Sequence, residues 1–156
     1  KLSKSDFISI FGNIFEKTVW IAEKAYYLKP FRNTKELIFN LIKIFENTQK
    51  ESHLKILNAH PELVVGEKLT SDSKKEQNNA SLDQCLSEEF KEFKELNEEY
   101  KKKFGFPFII AVKGKDRKKI LKNFRERVKN NLDLEFLEAK EQVKKIATFR
   151  LDDIVK

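Results

Sequence analysis

Apolar residues recur at α-helical spacing along most of this chain, and no other feature of the sequence constrains the fold as strongly. Lysine and glutamate fill most of the positions between them, as on the solvent face of an amphipathic helix. The clearest stripes consist of Phe7, Phe11, Ile14 and Phe15, then Leu37, Ile38, Leu41, Ile42 and Phe45, and later Phe90, Phe93, Tyr100 and Phe104. We therefore predict an all-α protein, a single compact domain of about eight helices over residues 1–156.

One stretch does not fit this pattern. The segment KKFGFPFIIAVKGK, from Lys102 to Lys115, places glycine and proline among phenylalanines in front of an aliphatic run. Proline is excluded from a helix interior and glycine weakens it, so this stretch is unlike the helices around it. We predict an irregular apolar loop around residues 104–112.

Two polar motifs lie near predicted helix ends. A residue before proline is pushed out of the helical region, so the helix that opens near Thr48 should end at about His60, in front of Pro61. His60 would then project from a helix terminus. Ser73 and Glu76 have the S-x-x-E spacing of a capping box, and on spacing alone a helix start is the simpler interpretation of that pair.

Composition excludes several classes of protein. Cys85 is the one cysteine among 156 residues, so no internal disulfide can form, which fits a reducing, cytoplasmic location. Two histidines and one cysteine without paired spacing disfavour a metal site. The longest apolar run, Phe104 to Val112, is far short of the ~20 residues that a membrane span requires. We also expect no leader or targeting signal.

The net charge of +7 is concentrated in one segment. Lys113 to Lys129 contains nine basic and two acidic residues. A basic stripe of this kind can bind phosphates, so a helical binding module for RNA or an acidic partner is the alternative function. A solvated helix face explains the stripe more simply, because its one aromatic, Phe124, falls on the apolar side. No nucleic acid is therefore expected.

The last predicted helix, from about Asp133 to Ile154, carries a charge on its apolar face. Arg150 lies among Val143, Ile146 and Ala147 when the residues are placed at ~100° per residue. An arginine in that position must pair with a carboxylate or face a cavity that holds an anion. The sequence leaves both alternatives open.

Several motifs together resemble one family over nearly the whole chain. They occur in the family's order and approximate spacing: FGNIFEKTVWIAEKAY, AHPEL, LTSDSKKEQNNASLD, LNEEYKKKFGFPFIIAVKG and IATFRL. In this combination the chain resembles the 2-oxo-4-hydroxy-4-carboxy-5-ureidoimidazoline (OHCU) decarboxylases. The resemblance implies an all-helical, cofactor-free carboxy-lyase of urate degradation, which forms (S)-allantoin from a small-molecule substrate. Members of that family often form dimers, so a homodimer is also expected.

The resemblance also implies roles for individual residues. His60 would be the catalytic proton donor and Glu76 its partner. The substrate-binding residues would be Pro61, Ser73, Gln77, Phe106, Phe108, Ile109, Ile110, Ala111, Val112 and Arg150, with the loop contributing its backbone. For Arg150 we expect methionine to raise KM sharply and to leave stability level or higher, because the apolar stripe becomes continuous.

The chain departs from the usual family pattern at three places. Thr18-Val19 stands where Ser-Pro is usual, Ser81 where glycine is usual, and Val64-Val65 where small residues are common. None of these positions is a predicted polar site residue, so we expect the departures to affect the fit of the substrate more than the chemistry.

Overall fold

The computed structural model describes residues 2–64 and 69–155. In these ranges the chain forms eight α-helices, one short 3₁₀ helix (Leu82–Gln84) and no β-strand, which confirms the all-α prediction. The helices are α1 (Lys4–Phe11), α2 (Val19–Tyr26), α3 (Thr34–Glu46), α4 (Lys50–Ala59), α5 (Ser71–Asn79), α6 (Ser87–Phe104), α7 (Arg117–Arg127) and α8 (Leu132–Ile154). Two compact units are formed, one by residues 2–59 and 143–155, the other by the described residues between 60 and 142.

The first unit contains α1 to α4 and the C-terminal part of α8. Its aromatic core includes Phe15 and Phe45, whose rings stack with centroids 5.2 Å apart. The sequence predicted one helix through Phe15, but α1 ends at Phe11. A Cβ atom at Gly12 would lie 2.5 Å from the Ile8 carbonyl oxygen, so only glycine fits there. Phe15 is buried although it lies in the turn after α1.

Helix starts in this unit show which polar residues act as caps. Asn33 caps α3 by accepting a hydrogen bond from the Glu36 N–H at 2.9 Å. The Thr48 hydroxyl donates to the Ile44 carbonyl of the preceding helix and does not open α4. Thr18 and Val19 occupy the N-cap and first position of α2, where the family's Ser-Pro pair is favoured.

The second unit contains α5, α6, α7 and the N-terminal part of α8. Phe93, Tyr100 and Phe124 are fully buried on the inner faces of α6 and α7. Phe90, which the sequence placed on the same face of α6, is 49% exposed because it lies in the first turn. Asp116 stands just before the apolar period of Ile120 and Phe124, a position in which the sequence predicts a helix cap, and it does cap α7, accepting from the Lys119 N–H at 2.9 Å.

The longest helix, α8, has 23 residues and contributes to both units. Ala139, Val143 and Ala147 are buried along one side of it, as the periodicity indicated. Among the helices formed by the described residues, none is both long and apolar enough to cross a membrane.

Candidate active site

The turn that follows α4 places His60 as the sequence predicted. Helix α4 ends at Ala59, and His60 lies between that helix and Pro61. The side chain is 8% exposed, and its Nε2 atom is buried. A buried imidazole at the end of a helix can transfer protons out of contact with bulk water, which suits a general acid.

Two side chains from other helices bind the backbone of this turn. Gln77 of α5 accepts from the Val64 N–H at 3.3 Å and donates to the Glu62 carbonyl at 3.4 Å. Asn97 of α6 donates to the Leu63 carbonyl at 2.8 Å. The turn that begins at His60 is therefore fixed by side chains of α5 and α6.

Val64 has an unusual backbone conformation in this turn, with φ of 55°. A β-branched residue is disfavoured in the left-handed region, so Val64 holds a strained conformation in this turn. Val65, the second residue of the Val64-Val65 departure from the family pattern, lies outside the described residues.

Helix α5 carries the other predicted polar residues, and its geometry changes the interpretation of the S-x-x-E pair. Thr70 is the N-cap and accepts from the Ser73 N–H at 3.2 Å, so Ser73 is not the capping residue. Ser73 and Gln77 are buried one turn apart, and Glu76 is half-buried beside Gln77. The simple capping explanation of Ser73 and Glu76 is therefore wrong.

The apolar loop begins where α6 ends. Gly105 has φ of 81° and ends the helix with its N–H bonded to the Lys101 carbonyl at 2.8 Å. No helix forms again until α7, which confirms the irregular loop. All of the loop residues predicted to bind substrate are buried: Phe106, Phe108, Ile109, Ile110, Ala111 and Val112.

Side chains already bind part of the loop backbone. The Ile109 carbonyl accepts from Arg127 at 2.7 Å, and the Ala111 N–H donates to Gln142 at 2.8 Å. Lys115 donates to the Ala111 carbonyl at 3.1 Å. By contrast, the N–H groups of Ile109, Ile110 and Val112 make no hydrogen bond within residues 2–64 and 69–155. Since buried N–H groups are rarely unpaired, these three are candidate donors to a ligand.

A buried polar cluster beside the loop was missed by the sequence analysis. Arg127, 8% exposed, donates from Nε to Glu135 at 2.9 Å, and Tyr100 donates to the same carboxylate at 2.6 Å. Burial and the hydrogen bond to Glu135 raise the pKa of Tyr100. A signal was present in the sequence, because Arg127 falls on the apolar stripe of Ile120 and Phe124 just as Arg150 does on α8.

The same pairing reduces the charge that the basic stripe can present. Three of its arginines form ion pairs within the second unit, Arg117 with Glu89, Arg125 with Glu92 and Arg127 with Glu135. These pairs lower the local excess of positive charge that a phosphate backbone would bind.

Arg150 lies in the first unit and is 5% exposed. Its Nη1 donates to the Glu16 carboxylate at 3.0 Å and to the Asn13 carbonyl at 2.8 Å. Of the two alternatives that the sequence left open, pairing with a buried carboxylate is therefore the one observed. Contact between Arg150 and a substrate stays a prediction.

The candidate site supplies proton-transfer groups and hydrogen-bond donors. No group of three or more His, Cys, Asp or Glu side chains suited to a metal ion occurs in the described part of the chain. Burial raises the pKa of the Cys85 thiol, which disfavours the thiolate form. The class that the fold and the site define is thus an all-helical protein with a buried histidine beside a helix rich in polar side chains.

Comparison with known proteins gives this class a family. The family model described as OHCU decarboxylase matches residues 1–152. The 2-oxo-4-hydroxy-4-carboxy-5-ureidoimidazoline decarboxylase of Haloferax volcanii is 35% identical over 151 residues, which are 97% of this chain and 90% of that protein. The chain belongs to the OHCU decarboxylase family.

Two further similarities concern length and structure. The uric acid degradation bifunctional protein of Bacillus sp. (strain TB-90) is 38% identical over 99% of this chain, but the chain spans only 31% of that protein. The crystal structure of an OHCU decarboxylase in the presence of (S)-allantoin matches with a TM-score of 0.75 and 25% identity, over 90% of this chain and 94% of that one.

Proposed function

We propose that this chain catalyses the cofactor-independent decarboxylation of OHCU to (S)-allantoin in urate degradation. Family membership supports the reaction, because relatives that the chain covers almost completely are named for it. One structural observation carries the assignment to residues. Gln77 of α5 is hydrogen-bonded to the backbone at Glu62 and Val64. These bonds hold α5, which also carries Glu76 next to Gln77, against the turn that begins at His60.

The substrate can provide the electron sink itself. Its carboxylate is attached to a ring carbon that also carries a hydroxyl and is adjacent to a ring imine. When CO₂ leaves, the electron pair of the broken C–C bond forms a double bond between the two ring carbons, and the imine nitrogen takes up a proton. The hydroxyl then becomes a carbonyl as its proton leaves and the ureido-bearing carbon receives one. In this reaction the protein has to bind, orient and move protons.

His60 is the proposed proton donor, and Glu76 its proposed hydrogen-bond partner. A carboxylate beside an imidazole fixes its tautomer and stabilises its protonated form. Delivery of the proton to one face of the planar intermediate would set the configuration of the product. A direct bond between His60 and Glu76 stays a prediction.

Ser73, Gln77 and the loop are proposed to hold the ring and the ureido group. Both polar atoms of Gln77 bind the turn, yet the amide nitrogen keeps a second proton and the oxygen a second lone pair. The N–H groups of Ile109, Ile110 and Val112 are among the loop donors that make no hydrogen bond within the described ranges, and they are proposed to bind ligand oxygens. Buried phenylalanines beside them exclude water, which strengthens such hydrogen bonds.

Three further properties remain proposals. The family match runs from residue 1 to residue 152, which supports one decarboxylase domain over residues 1–156. A homodimer is expected from the resemblance, and a cytoplasmic location from the single cysteine. Light scattering of the purified chain would test the homodimer, and fractionation of the source cells would test the cytoplasmic location.

The proposal is tested by following OHCU that is generated freshly from urate. The wild-type chain should release CO₂ well above the spontaneous rate and give an optically active product with the sign of (S)-allantoin. Spontaneous decay gives racemic allantoin, so the blank is an internal control. A racemic product formed at the blank rate would overturn the proposed function.

A further inference from the structure

We propose that Arg127 is a positioning residue, which together with Glu135 sets the conformation of the loop backbone around Ile110 for substrate binding. The inference rests on the proposed function, since it concerns the binding of the same substrate. It goes beyond that function because Arg127 lies outside every motif that carries the family resemblance.

The guanidinium of Arg127 joins α7, α8 and the loop. Its Nε donates to Glu135 of α8 and its Nη1 to the Ile109 carbonyl at 2.7 Å, and its Cζ lies 4.4 Å from the ring centroid of Phe108. These contacts use the planar fork and the flat face of the group at the same time. Lysine has neither, so the geometry calls for arginine.

Glu135 is fully buried and binds three side chains. Its Oε1 accepts from Arg127 and from the Tyr100 hydroxyl, and its Oε2 accepts from Asn130 at 2.9 Å. Each of these partners restricts the carboxylate, and the carboxylate in turn restricts the arginine. A buried ion pair contributes little to stability compared with apolar residues of the same size, so its retention calls for another explanation. Fixing a loop in one conformation is such an explanation.

The loop residues on either side of Ile110 are the ones that are fixed. Arg127 binds the carbonyl of Ile109, and Gln142 binds the N–H of Ala111 at 2.8 Å. The Ile109 carbonyl belongs to the peptide group before the Ile110 Cα atom, and the Ala111 N–H to the peptide group after it, so both peptide groups of Ile110 are held. The Ile110 N–H itself makes no hydrogen bond within the described ranges. An N–H in a buried loop segment that is held on both sides is oriented before a ligand arrives, which reduces the entropy lost on binding.

Arg127→Met removes the donor to Ile109 and should therefore weaken substrate binding. Loss of one well-oriented hydrogen-bond donor to the substrate weakens binding more than the chemical step, so we expect KM to rise by about tenfold while kcat falls less. Arg125→Met is the matched control, because Arg125 lies on the same helix and pairs with Glu92 at the surface. That variant should leave KM unchanged.

A variant that restores stability separates positioning from a purely structural role. Arg127→Met combined with Glu135→Leu and Tyr100→Phe removes both buried charges and the Tyr100 hydroxyl, and of the cluster's polar side chains it leaves the half-buried Asn130 amide. The denaturation midpoint should therefore recover much of its loss relative to Arg127→Met alone. If Arg127 positions the loop, KM stays raised and amide hydrogen exchange in the peptide covering residues 105–112 stays faster than in wild type.

The outcomes for this inference and for the proposed function are distinct. A wild-type chain that forms no (S)-allantoin overturns the proposed function and this inference with it. An active wild type, with KM and loop exchange back at wild-type values in the triple variant, overturns this inference alone. This inference alone is also overturned if the folded fraction of Arg127→Met has the same KM as Arg125→Met.

Discussion

The Nη1 atom of Arg150 lies 3.0 Å from the Glu16 carboxylate, and both side chains are almost completely removed from solvent. The two residues are 134 positions apart in sequence, yet both belong to the same compact unit. If either side chain is replaced by an apolar one, the charge of the other stays buried without this ion pair. This pair changes what a substitution at Arg150 should do.

Arg150→Met should destabilise the chain. It leaves the Glu16 carboxylate buried without its cation, a loss that typically costs ~3–5 kcal/mol. The sequence alone led us to expect level or higher stability, and the ion pair with Glu16 reverses that expectation. Urea denaturation gives the free energy of unfolding directly.

The double variant Arg150→Met with Glu16→Leu is the control, because it removes both charges and should recover much of the lost stability. A single variant that unfolds at the wild-type urea concentration would contradict the structural role of the pair. A raised KM in the folded fraction of the double variant would support the predicted substrate contact of Arg150.

Ser81→Gly should stabilise the chain. Ser81 follows the C-cap Ala80 of α5 and has φ of 64°, a left-handed conformation that costs residues other than glycine ~1–2 kcal/mol. Part of that gain is offset by the greater freedom of glycine in the unfolded state, so we expect a net ~1 kcal/mol. Thermal denaturation would measure it.

Ser71→Gly is the matched control for this prediction. Ser71 is exposed in the first turn of α5, where the backbone is helical and glycine has no conformational advantage. This substitution should be neutral or destabilising. Equal effects of glycine at both positions would contradict the role of the left-handed conformation.

Ionisation of Tyr100 should make the free energy of unfolding depend on pH in the alkaline range. Its pKa is raised above the ordinary value of 10.0, mainly by burial and then by the hydrogen bond to Glu135. As the pH rises, the unfolded chain therefore loses this proton before the folded chain does. The contribution of the protonated Tyr100 to the free energy of unfolding is present in full below pH 10. Above pH 10 the free energy of unfolding falls by up to ~1.4 kcal/mol per pH unit.

The measurement compares wild type with Tyr100→Phe in urea denaturation at about pH 9 and about pH 11. The free energy of unfolding should fall more steeply with pH in wild type, since phenylalanine has no proton to lose. Parallel decreases in the two proteins would show that Tyr100 ionises equally in the folded and unfolded states.

Local signals in the sequence predicted the helix ends that depend on neighbouring residues. Pro61 ends α4 through a steric restriction on the residue before it, and Asp116 caps α7 with its own side chain. The signals failed where residues distant in sequence decide. Phe15 continues the apolar period of α1, but it is buried from a turn, since the period reports burial and not the backbone conformation.

The candidate site was predicted unevenly for a related reason. His60 and Glu76 were found because their motifs are short and contiguous. Arg127 was grouped with a basic stripe, because its partner Glu135 lies on another helix and spacing along α7 carries no information about that helix. Arg150 stood out against an apolar face, but nothing in the sequence indicated which carboxylate would meet it.

Treatment with a chelator should leave the activity unchanged. The proposed electron sink lies in the substrate, and the described residues form no cluster of metal-binding side chains. Decarboxylation should therefore continue at the same rate after exhaustive dialysis against EDTA. A rate that is lost on dialysis and restored by added zinc would show that the assigned electron sink is wrong.

The turnover of His60→Asn tests the central claim most directly. Loss of a general acid typically lowers the rate by ~10²-fold or more, so CO₂ release from fresh OHCU should fall that far, and Glu76→Ala should fall similarly. The control is His53→Asn, which changes the other buried histidine, bonded to the Phe45 carbonyl at 2.6 Å, and should keep turnover in its folded fraction. A folded His60→Asn variant with near-wild-type turnover would contradict the account.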